Sequence, residues 1–171
     1  MKRIFWAISA TLLISCFSIQ TSWAQLKRFS IGPYVEAGFP AGDFNKTNKT
    51  GIGAGIGADI KLIAGLGVTG SVGAMYFAGK TFTDAQGNQV KGSSLSAIPV
   101  RVGVKYSLIS ILYVKLETGA ANYIRNNSGS AFILAPSVGV RLLGLDVSAK
   151  YEAWMKDGNL GFFGLKAGYN F

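Results

Sequence analysis

From Phe29 onward the chain repeats one instruction: apolar and non-apolar residues alternate with period 2, and charge keeps to one parity within each stretch. Eight segments carry the pattern, approximately 29–39, 51–61, 66–78, 95–107, 111–124, 131–142, 145–155 and 161–171. In the second, Ile52, Ala54, Ile56, Ala58 and Ile60 share one face, while Gly53, Gly55, Gly57, Asp59 and Lys61 share the other. The seventh sets Leu145, Val147, Ala149, Tyr151 and Ala153 against Asp146, Ser148, Lys150, Glu152 and Trp154. Period 2 is the signature of strands whose two faces meet different surroundings. Each segment is close to the roughly 9–11 residues that a tilted strand needs to cross a bilayer.

The connections sort by length. Those after the first, third, fifth and seventh segments are the polar stretches 40–50, 79–94, 125–130 and 156–160, whereas the others, at 62–65, 108–110 and 143–144, are short. Antiparallel strands with both termini on one side place every short turn on that side and every longer loop on the other, which a Greek-key sandwich has no reason to do. The expected fold is all-β, an eight-stranded antiparallel transmembrane barrel.

Which face points outward is decided by glycine and by aromatic residues. Of the 23 glycines, Gly32, Gly38, Gly53, Gly55, Gly57, Gly67, Gly73, Gly103, Gly119, Gly139, Gly164 and Gly168 share the charged face. On a solvated face they would only weaken the strands, whereas inside a narrow barrel they make room for long side chains. The opposite face carries Phe29, Tyr106, Tyr169 and Phe171 toward the short turns and Phe39, Tyr76, Phe132 and Phe163 toward the loops, two girdles about an aliphatic band. The charges Glu36, Asp59, Lys61, Arg101, Lys105, Lys115, Glu117, Arg141, Asp146, Lys150, Glu152 and Lys166 are therefore expected inside. Near-balance of sign suits a closed lumen of ion pairs, because an unpaired buried ion costs several kcal/mol.

The first 24 residues read as an export signal, with Lys2 and Arg3 before the apolar run 4–19 and Ser22-Trp23-Ala24 as the cleavage site. Cleavage between Ala24 and Gln25 leaves 25–171 as the barrel domain. Leu13-Ile14-Ser15-Cys16 also resembles a lipobox, in which Cys16 would bear lipid. After residue 24 no apolar run approaches the roughly 20 residues of a membrane helix.

The signal, the eight strands and the ending Gly164-Leu165-Lys166-Ala167-Gly168-Tyr169-Asn170-Phe171 resemble the small bacterial outer-membrane β-barrel proteins of the OmpA/OmpX-like group. That resemblance implies residence in the outer membrane, with membrane lipid and the barrel-assembly machinery as partners. It also implies that Phe171, with Tyr169 and Phe163, is an assembly signal, and no periplasmic domain is expected to follow.

Chemistry has little to work with. The chain has no histidine, which removes Ser-His-Asp and Cys-His sets and imidazole metal ligands. Gly51-Ile52-Gly53-Ala54-Gly55-Ile56-Gly57 lacks both the spacing and the following helix of a phosphate loop. No enzymatic activity, catalytic residue, cofactor or metal is expected, and the positive charge, not gathered on one face between aromatics, does not suit nucleic acid. Function falls to the longer loops, with Asp43, Asn45, Lys46, Thr47, Asn48 and Lys49 in one and Lys80, Asp84, Gln86, Asn88 and Lys91 in the next. A structural, adhesive or surface-binding role follows, with lipopolysaccharide phosphates among the candidate ligands. A narrow pore and a soluble ligand-binding barrel are the alternatives.

Overall fold

A computed structural model describes residues 28–83, 89–124, 129–156 and 158–171. The export segment, the Ala24–Gln25 cleavage point, Cys16, Asp84, Gln86 and Asn88 lie outside these residues. The described chain forms β1 (Phe29–Ala41), α1 (Asp43–Thr47), β2 (Asn48–Lys61), β3 (Leu66–Gly79), β4 (Thr81–Thr83), β5 (Gln89–Lys91), β6 (Leu95–Ser107), β7 (Leu112–Tyr123), β8 (Ser130–Leu142), β9 (Leu145–Lys156) and β10 (Gly158–Tyr169). The eight long strands close into a barrel in the order β1-β10-β9-β8-β7-β6-β3-β2, every neighbour antiparallel. Closure leaves no free edge in the barrel, so each backbone donor and acceptor can be met within the sheet.

The alternation that defines the strands also turns them the expected way. Ile52 is 69% exposed and Val102 55%, whereas Glu36 is 5% and Arg101 1% exposed, an inversion of the soluble rule that apolar residues go inside. The aromatic residues of both girdles are exposed on the same outer surface. Glycine on the inner face does more than admit charged side chains. A β-carbon on Gly55 or Gly73 would strike the Tyr34 hydroxyl, and one on Gly139 would strike that of Tyr113.

Two features of the ladder trace to single residues. The β3–β6 pairing breaks between Val72↔Val100 and Met75↔Ala97, around Pro99, and the β8–β9 pairing breaks between Leu134↔Ala153 and Ser137↔Lys150, around Pro136. Proline has no N–H to give a ladder. The tight turn joining β8 to β9 holds Leu143 at φ 50° and Gly144 at φ 86°, the pair of positive values that a type I′ hairpin of two loop residues requires.

The polar connections contain structure that the alternation does not announce. α1 occupies the first loop, and β4 pairs with β5 in the second. The loop expected at 156–160 is largely strand, since β9 and β10 stay paired out to Gly158↔Lys156. At the other end of β10 the strand stops at Tyr169, but hydrogen bonds from Asn170 to the Gly144 carbonyl (2.8 Å) and from Phe171 to the Ile31 carbonyl (2.9 Å) continue the pairing.

Candidate functional site

The lumen is stratified along the barrel axis. Nearest the short turns, Asp59 from β2 and Asp146 from β9 face Lys105 from β6 and Arg141 from β8. Lys105 Nζ lies 3.2 Å from Asp59 and 3.5 Å from Asp146, while the Arg141 guanidinium contacts both carboxylates. Tyr113 donates to Asp146 at 2.5 Å and turns its ring beneath Lys105, whose Nζ is 3.7 Å from the ring centre. Arg141 also reaches Ser30 Oγ, tying β8 to β1 across the interior.

Deeper in, Glu36 and Glu152 alternate with Arg101 and Lys150. Arg101 donates to Glu152 at 2.9 Å and to Glu36 at 3.1 Å, and Lys150 lies 2.7 Å from Glu36 and 2.5 Å from Glu152. All four side chains are 2% exposed or less. The Trp154 indole adds a 2.6 Å hydrogen bond to Glu152. Four ions in closed alternation provide the multiple partners without which buried charge is strongly unfavourable. Lys115 and Glu117, both on β7, pair at 2.9 Å, and Lys166 sets its Nζ 3.6 Å above the centre of the Tyr34 ring.

Toward the loops the interior becomes apolar. Phe77, Trp154 and Phe162 are fully buried and meet edge to face, with ring centres 5.2–6.2 Å apart. Met75, Ile133, Ala97, Ala121, Ala131 and Ala135 surround them. α1 lowers Phe44 onto the cluster, its ring 4.9 Å from that of Phe77. The helix is held there from the next loop: Lys80 Nζ donates to the backbone carbonyl (2.5 Å) and side-chain oxygen (2.8 Å) of Asn45, and its backbone N–H donates to Thr47. Asn48 completes the tie through a 3.1 Å hydrogen bond to the Ser93 carbonyl.

Of the twelve charges whose parity points inward, eleven line the lumen, and Lys61, the last residue of β2, stands exposed at the short-turn rim, where it borders the same cleft as Asp59, Lys105 and Arg141. The apolar stratum was not anticipated, although Met75, Phe77 and Phe162 have the parity of Gly73 and Gly164 and could have been read from it. Tyr34 and Tyr113, which sit under the ammonium groups, were likewise legible only by phase. Among the exposed loop residues, Lys46 and Asp43 pair at 2.8 Å along α1, and that hydrogen bond holds the Asp43 carboxyl below its usual range. Phe163, Tyr169 and Phe171 all stand on the outer surface.

No protein-family profile and no curated protein matches the sequence. Solved structures do match. A de novo designed transmembrane β-barrel superimposes with a TM-score of 0.55 at 17% identity, over 83% of this chain and 95% of the other. The crystal structure of Ail, the attachment invasion locus protein of Yersinia pestis, gives 0.53 at 21% identity, over 84% and 97%. The same protein in complex with the heparin analogue sucrose octasulfate gives 0.52 at 22%, again over 84% and 97%. At these identities the likeness is one of architecture, and the chain has the fold of the small eight-stranded transmembrane β-barrels of the outer membrane.

Proposed function

We propose that the protein resides in a bacterial outer membrane as a non-conducting barrel that presents its loop end for contact with a surface ligand, a polyanion in the first instance. The observation that carries this reading is the tethered loop end: α1 and the segment around Lys80 are bound together above the Phe77–Trp154–Phe162 cluster. A rigid, sealed end is suited to recognition, since a preorganised surface loses little entropy on binding. Lys46, Lys49 and Lys80 lie on that end, and lysine there attracts phosphate or sulfate groups. The Ail complex with a sulfated sugar is a precedent on the same architecture. The charged strata beneath are read as structural, holding the strands together from within.

The soluble alternative is disfavoured by the exterior, where Ile52, Phe163, Val102 and large apolar residues from every barrel strand stand exposed, far more than a water-borne monomer presents. Full-length barrel in lipid nanodiscs is expected to bind immobilised heparin with salt-sensitive affinity, and Lys46→Ala/Lys49→Ala is expected to weaken that binding at least threefold without loss of fold. The same preparation in planar bilayers is expected to show no discrete conductance steps. Ion-selective steps would replace the sealed reading by the pore, and unchanged binding by the double variant would remove the lysines from it.

A further inference from the structure

Among the described residues, the charges of the lumen do not balance. Six cations, Arg101, Lys105, Lys115, Arg141, Lys150 and Lys166, face five carboxylates, Glu36, Asp59, Glu117, Asp146 and Glu152. However these are paired, one positive charge is left over. In the structure it falls on Lys166. This residue stands in register with Glu36 across β1 and β10, but Arg101 holds one oxygen of Glu36 and Lys150 the other. Among the described residues, no carboxylate oxygen lies within ion-pair distance of Lys166 Nζ, and its neighbour is the Tyr34 ring.

Lys166 also faces open space. A cavity of about 30 Å³ is lined by Lys166, Lys115, Lys105 and Arg141 against only Asp59 and Asp146. By the measure of about one probe sphere per water, it admits one or two waters or a single monatomic anion. Asp59, Lys105, Tyr113 and Arg141 also line a larger cleft of about 250 Å³ that reaches Lys61, Leu62 and Ser110 at the short-turn rim. These four residues border both spaces, and the cleft opens at the short-turn rim, while the aromatic stratum covers the opposite end. An excess cation in a narrow, low-dielectric cavity with access from one side draws a small counter-ion into it.

We propose that the short-turn half of the lumen is a binding site for one small inorganic monovalent anion, of the chloride class, held by Lys166 with Lys115 beside it. The anion enters from the short-turn mouth and completes the charge balance of the interior. Its size limit follows from the cavity: chloride and bromide fit, and gluconate does not.

The test uses full-length barrel refolded in phospholipid bilayers, with chloride exchanged for gluconate at constant ionic strength. The wild-type chain is expected to be stabilised saturably by chloride and by bromide. At ten times the dissociation constant the folding equilibrium should shift about elevenfold. Lys166→Met is expected to lose that response and to be no less stable than wild type in gluconate. A wild-type barrel indifferent to the exchange would overturn the proposal, the surplus then being removed by deprotonation of the lysine. A non-saturating response, or one kept in full by Lys166→Met, would overturn it equally. If the variant does not refold, chloride-35 line broadening decides the matter on wild type alone: saturable broadening by folded barrel, displaced by bromide and absent with unfolded chain, supports the site, and its absence refutes it.

Discussion

Glu152 shows how much a single side chain can carry in this lumen. Its carboxylate accepts from Arg101 and Trp154 and lies against Lys150, with no exposure to solvent. Glu152→Leu would leave two buried cations sharing Glu36, and the expected loss is about 3–5 kcal/mol, measurable as a lower urea midpoint in bilayers. Such pairings could not be foreseen individually. Parity says that Glu152 and Arg101 face inward, but which carboxylate meets which base depends on strand tilt and stagger, and Lys61 shows that parity is silent about height. Tyr34 and Tyr113 were missed for a related reason: on an inner face read as polar, an aromatic ring looks out of place until a cation lies over it.

At the scale of elements, the long strands were legible because the alternation lasts for a dozen residues, and their observed bounds differ from the expected ones by three residues at most at either end. α1, β4 and β5 were not legible: with three to five residues each, they are too brief to show any period. They exist because tertiary contacts hold them, as Phe44 and Lys80 do for α1. The turn between β8 and β9 runs the other way, with local chemistry opposing the fold. Leucine at Leu143 is forced to positive φ, a region that suits glycine or asparagine. Leu143→Asn is expected to raise stability by about 1 kcal/mol, read from the same denaturation midpoint. A decrease would mean that its exposed side chain contributes more through lipid contact than its backbone conformation costs.

The molecule as a whole is a sheet turned inside out, and its outer surface is where the orientation can be tested directly. Val102 lies near the middle of β6 on the outer face, and Val102→Lys is expected to cost about 2–4 kcal/mol in a bilayer. Refolding yield and unfolding midpoint would both report it, and full tolerance would place water, not lipid, outside that strand. The vertical order of the interior has a consequence of a different kind. On the proposed sealed reading, closure rests on Phe77, Trp154 and Phe162 of the barrel wall, with only Phe44 added from a loop, and the segments above then carry little responsibility for keeping the envelope tight. They are free to change in length and composition under pressure from whatever they meet outside, without exposing the cell to leakage. A lineage built on this barrel can therefore diversify its outward surface rapidly while its wall changes slowly.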